Sequence, residues 1–164
     1  PVSINGGMPM RAWYDILNVD LVRKEDEQGL RDSQREVQAL IARENARGIP
    51  TSNIVLAGFS QGSAMTLLAG LHLDQKLAGL MSLSGYLPLA DKFAAERHSA
   101  NQDTPIFLAH GTLDPVVVFA RGQATHRQLE ELGYSVTWKT YNMPHTVCLE
   151  EIDDMAQFLR KVLI

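Results

Sequence analysis

The stretch Ile54-Val55-Leu56-Ala57-Gly58-Phe59-Ser60-Gln61-Gly62-Ser63-Ala64-Met65 decides the fold. It reads as an apolar strand, a sharp turn at Ser60 and a helix rich in small residues. Its centre, Gly58-x-Ser60-x-Gly62, is a G-x-S-x-G elbow. A serine on so tight a turn is held in strained backbone geometry, with φ > 0 expected. Glycines two before and two after it remove Cβ atoms that would clash. The turn lifts the Ser60 hydroxyl clear of the sheet. It also leaves the Gln61 N–H free at a helix N-terminus, where an oxyanion is stabilised. The competing reading is an ordinary strand-to-helix turn with a serine N-cap.

Outward from the elbow, the chain alternates. On the N-terminal side, residues 24–47 carry many charges, with Leu30, Val37, Leu40 and Ile41 at helical spacing. Gly48 and Pro50 supply the stop. On the C-terminal side, Leu77 to Gly85 and Pro105 to Gly111 are short apolar runs, the pattern of strands buried on both faces. Between them, Tyr86 to Leu89 reads as a loop and a polar stretch runs to Thr104. A helix is expected over Phe119–Leu132 and a strand over Ser135–Tyr141. The last helix covers Cys148–Val162, with Leu149, Ile152, Ala156, Leu159 and Leu163 as its buried stripe. Alternation with buried strands predicts an α/β fold, a mostly parallel sheet with helices on both faces. No repeat or linker divides residues 1–164, so a single domain is expected.

Composition bounds the function. The 164 residues are 45% apolar and 21% charged with net charge −4, an ordinary globular balance. No basic cluster points to nucleic acid, and no apolar run approaches a membrane span. The single cysteine, Cys148, excludes an internal disulfide framework and a cysteine zinc cluster. No metal site is expected.

A serine nucleophile needs a base, and the base needs a carboxylate to orient it. Behind an elbow these follow in chain order serine, acid, histidine, in loops at the C-terminal edge of the sheet. Asp114 sits four residues past a strand end, in His110-Gly111-Thr112-Leu113-Asp114-Pro115. Its rivals Asp91 and Asp103 lie in the polar connection. Of five histidines, His145 alone occupies the loop between the last strand and the last helix, in Met143-Pro144-His145-Thr146. His110 closes a strand and reads as support for the Asp114 loop. Cys148 is a rival nucleophile that no elbow presents. Trp13, Tyr86, Leu87, Val116 and Val117 follow strand ends or carry exposed aromatic character, and are expected to line a hydrophobic substrate cleft.

The sequence resembles the small carboxylesterase, lysophospholipase and acyl-protein thioesterase family of α/β hydrolases, bacterial carboxylesterases above all. The likeness rests on Gly58-Phe59-Ser60-Gln61-Gly62-Ser63, on His110-Gly111-Thr112-Leu113-Asp114-Pro115-Val116-Val117, on Pro144-His145, and on Asn5-Gly6-Gly7 followed by Trp13-Tyr14-Asp15. It implies that Ser60 is the nucleophile, Asp114 the acid, His145 the base and the Gln61 N–H an oxyanion donor. It implies a small-molecule ester substrate with a small to medium acyl chain, no cofactor, a cytoplasmic protein and often a homodimer. The alternatives are thioesterase or lysophospholipase activity from the same residues, or a non-catalytic α/β binding domain. The family's early strands and the loop that donates the second oxyanion N–H have no counterpart in these residues. An N-terminal segment of the same protein, packed beside the elbow strand, is therefore expected. That strand, apolar on both faces, is expected to be central, with a neighbour on each side.

Overall fold

The computed structural model describes residues 10–16 and 25–164. The turn signals at Asn5-Gly6-Gly7 and Pro9, and the helix start proposed at Lys24, lie outside them.

Four strands form one parallel sheet in the order β1 (Val55–Phe59), β2 (Gly79–Leu83), β3 (Ile106–Gly111), β4 (Val136–Tyr141). The register pairs Leu56 with Leu80, Leu80 with Ile106, and Ile106 with Val136. Every residue of β2 and β3 is buried. That is why these strands read as continuous apolar runs rather than alternating ones.

The helices are α1 (Glu27–Ala46), α2 (Gln61–Leu71), α3 (Ala90–Glu96), α4 (Phe119–Glu131) and α5 (Leu149–Leu163). Leu80 and Ile106 point to one face of the sheet, where Leu67 and Leu71 of α2 and Leu129 of α4 cover them. Met81, Leu83, Phe107 and Ala109 point to the other, against Phe158 of α5. Helices thus lie on both faces of the sheet. No helix among the described residues is long and apolar enough to cross a membrane.

Several expectations change. β1 sits at the edge of the sheet and pairs with β2 alone among the described residues, and its residues are half-buried or exposed. Its apolar sequence suited a central position, but the other three strands all stack on one side of it. Helix α3 was not foreseen. It is short and starts after Leu89, which adopts left-handed φ of 51° with no side-chain cap, so no cap signal marks it. On α1, Leu40 is exposed and only Leu30, Val37 and Ile41 are buried.

The stripe on α5 is rotated from the expected one. Leu149 is 81% exposed, and Ile152 and Leu163 are also exposed. The inward residues are Glu151, Met155, Phe158 and Val162, one turn apart, with Leu159 partly buried beside them. Apolar residues cover more than half of this helix, so its own pattern leaves the inward direction open. Gly79 settles it: a Cβ there would lie 3.1 Å from the Phe158 ring, so the glycine makes the space the ring fills.

Candidate active site

Ser60 lies between β1 and α2 with φ 56° and ψ −120°, the positive φ expected of the elbow. Its neighbours explain how a non-glycine residue stays there. A Cβ on Gly58 would come within 2.1 Å of the Gly62 carbonyl oxygen, so only glycine fits. Gly62 differs from expectation, since a Cβ there meets nothing nearer than Trp13 Nε1 at 3.9 Å. The second steric requirement falls instead on Gly85, just past β2, whose Cβ would collide with Ser63 Oγ at 2.2 Å. The Ser60 N–H donates to the Leu83 carbonyl at 2.9 Å, tying the elbow to the end of β2.

The loops after β3 and β4 are joined to each other. The Thr112 N–H donates to the Tyr141 carbonyl at 2.8 Å and the Leu113 N–H to the Met143 carbonyl at 3.1 Å. Gly111 permits this approach, because its Cβ would lie 2.3 Å from the Met143 carbonyl oxygen. The union brings Asp114 and His145 together. His145 Nδ1 is 2.7 Å from Asp114 Oδ2, and His145 Nε2 is 2.9 Å from Ser60 Oγ. The Phe59 ring packs on the imidazole with centroids 4.7 Å apart.

Asp114 is buried and its oxygens are divided between two tasks. Oδ1 accepts from the N–H groups of Val116 and Val117 at 2.8 and 2.9 Å, fixing the carboxylate. Oδ2 faces His145. An ionised carboxylate only accepts, so the proton of His145 sits on Nδ1 and Nε2 is left to accept from the Ser60 hydroxyl. His110 stands behind this loop as expected. Its Nε2–H donates to the Val117 carbonyl at 2.8 Å. Burial holds its pKa below the usual histidine range, so it stays neutral near pH 7.

The other candidates are placed as follows. Asp91 lies in α3 and Asp103 is exposed in the connection before β3, neither in contact with His145. Cys148 is a free, half-buried thiol at the N-cap of α5. Of the expected cleft residues, Trp13 and Val116 are exposed, at 40% and 55%. Tyr86, Leu87 and Val117 are buried. For Leu87 the reading as a lining residue is corrected. Its N–H donates to Thr125 Oγ1 at 2.8 Å, and its side chain packs with Leu67, Phe93 and Leu129. Tyr86 pairs its hydroxyl with that of Tyr14 at 2.9 Å, beneath the Arg121 guanidinium.

Two features were not foreseen. The Gln61 side chain reaches the Trp13–Tyr14 backbone, and Glu151 is buried in the first turn of α5. No local pattern announces the first, whose partners lie 47 and 48 residues away. The second had a signal in the spacing of Cys148 and Glu151, an N-cap and its third helical position.

The profile of the Phospholipase/Carboxylesterase family matches residues 1–163. The chain belongs to this family. Acyl-protein thioesterase 1 of Neurospora crassa is 46% identical over 171 residues, which span 99% of this chain and 70% of that protein. The crystal structure of Arabidopsis thaliana SOBER1 superimposes with a TM-score of 0.93 at 30% identity, over 100% of this chain and 80% of that one. Zea mays acyl-protein thioesterase 2 gives 0.82 at 28% identity, over 100% and 78%. The fold is that of the α/β hydrolases. The curated relatives are fungal, so the expectation that bacterial carboxylesterases stand above all is not supported, although a phospholipase/carboxylesterase from Dyadobacter fermentans also superimposes, with a TM-score of 0.71 at 29% identity over 82% of this chain and 65% of that one.

Proposed function

We propose that this chain is a serine hydrolase of the acyl-protein thioesterase type, forming one domain over residues 1–164. Its substrates are acyl thioesters, with carboxylic esters of small to medium acyl chain cleaved by the same residues. The observation that carries the reading is the hydrogen-bonded line from Ser60 Oγ through His145 to Asp114, at 2.9 and 2.7 Å. The thioester preference is supported by the fungal and maize relatives, which are named acyl-protein thioesterases.

In this reading Ser60 Oγ attacks the acyl carbonyl while His145 Nε2 takes its proton. Asp114 holds the imidazole in its productive tautomer and balances the imidazolium. The Gln61 N–H, at the start of α2, faces the oxyanion. His145 returns the proton to the departing thiol or alcohol, leaving acyl-Ser60. Water, deprotonated by His145, then releases the acid and restores the hydroxyl. A strand added at the open edge of β1, from a preceding segment of the same protein, completes the sheet and brings the second oxyanion donor.

Rates on a matched pair, the same acyl group on a thiol and on an alcohol of equal size, test the assignment. A higher kcat/KM on the thioester is expected. A preference for the oxygen ester returns the protein to the carboxylesterase reading, and no turnover of either substrate contradicts hydrolysis altogether.

A further inference from the structure

Gln61 carries a second role in its side chain, apart from its backbone N–H. Its amide forms a two-point clamp: Oε1 accepts from the Trp13 N–H at 3.2 Å and Nε2 donates to the Tyr14 carbonyl at 3.0 Å. A carboxamide of this length offers an acceptor and a donor side by side to one peptide strand. The segment it grips is held unevenly elsewhere. Tyr14 is buried and anchored through its hydroxyl on Tyr86, and the Asp15 N–H donates to Asp26 Oδ2 at 2.9 Å. Trp13 has less. Besides Gln61, its backbone is held by Ser33 Oγ, which donates to its carbonyl. The Trp13 side chain is 40% exposed, and its indole nitrogen lies 3.9 Å from the point a Cβ would occupy on Gly62, two residues past Ser60. An exposed indole thus stands over the first turn of α2, two residues past Ser60, and its backbone is tied to the residue next to Ser60.

We infer that the Gln61 side chain is a specificity-determining residue, which fixes Trp13 as the wall against the hydrocarbon chain flanking the scissile carbonyl. The inference rests on the proposed serine hydrolysis. With the clamp intact, the indole offers a rigid face, and chain lengths that fit it gain apolar burial. Without it, Trp13 swings while Tyr14 stays anchored, and the discrimination between chain lengths fades.

Gln61→Met removes both hydrogen bonds at nearly constant volume and helix propensity. It is compared with the unsubstituted protein on two ester series. One varies the acyl chain on a fixed leaving group, the other varies the alcohol on a fixed acyl group. The ratio of kcat/KM between best and worst members is expected to fall about tenfold in one series, carried mainly by KM. A Trp138→Phe background leaves Trp13 as the sole tryptophan, the chain having two. In it, Gln61→Met is expected to raise acrylamide quenching of Trp13, a readout independent of turnover. Gln61→Glu adds a rescue. When protonated, its carboxyl presents the same donor and acceptor, so quenching should return to the parent level below about pH 4.5 and rise above it. If Gln61→Met does not fold, Ser33→Ala loosens the same peptide and should move both readouts in the same direction. Unchanged selectivity in both series, or unchanged quenching, overturns the inference while Ser60 labelling by a fluorophosphonate leaves the proposed function standing. Absence of that labelling in the parent protein removes the proposed function whatever Trp13 does.

Discussion

At the scale of single residues, the elbow depends on space that side chains elsewhere take for granted. A Cβ on Gly58 would overlap the Gly62 carbonyl, and backbone cannot yield as a flexible side chain does. Gly58→Ala is therefore expected to cost about 3 kcal/mol or more in stability. Gly62→Ala, with an open 3.9 Å contact, should change stability by less than about 1 kcal/mol. Thermal melts of the two variants check the contrast, and equal losses would contradict it. Asp114 makes a chemical rather than steric demand. Asp114→Asn keeps a hydrogen bond to His145 but favours the wrong tautomer, and kcat should fall by about four orders of magnitude. Asp91→Asn and Asp103→Asn, remote from the imidazole, should leave kcat close to the parent value. The residues of the proposed triad were legible because chain order and strand ends locate them. The Gln61 clamp was not, since nothing local marks a side chain that bonds backbone 47 residues away.

At the scale of elements, legibility followed burial. β2 and β3 are wholly buried and appear as unbroken apolar runs, so their limits could be read closely. α3 has no capping side chain and α5 is apolar on too many sides, so the first was missed and the second turned wrongly. The rotation of α5 has an electrostatic consequence. It buries Glu151 completely. Burial raises its pKa to about 7, only partly offset by the nearby Cys148 N–H. The unfolded chain loses this proton near pH 4.5, the folded chain near pH 7. Between those values the native state binds the extra proton, so stability is greatest below the window and falls as pH rises through it. Glu151→Gln keeps the shape and removes the titration. Its melting temperature should vary less between pH 5 and pH 8, and should exceed the parent's at pH 8. A parent protein whose stability climbs steadily across that range, with the variant following in parallel, would contradict the assignment.

At the scale of the whole molecule, the sheet is covered on both faces, and among the described residues nothing pairs with the outer edge of β1. The apolar sequence of that strand argued for a central place, and the structure leaves its outer edge without a described neighbour. Unpaired N–H and C=O groups along such an edge are a template for another strand. The 164-residue chain is expected to associate with rising concentration, seen as larger species in sedimentation velocity. Ala57 is exposed in the middle of this strand, and Ala57→Lys should suppress the association by placing a charge there. Persistence of the larger species in Ala57→Lys would mean that another surface holds them.

The central claim is that Ser60, at the end of the line through His145 to Asp114, carries the acyl group during turnover. Mass spectrometry of the protein quenched during reaction with an acyl thioester tests it most directly. The account predicts a mass increase equal to one acyl group, located on the peptide containing Ser60 and absent from Ser60→Ala. An acyl group on another residue such as Cys148, or Ser60→Ala turning over at the parent rate, would contradict it.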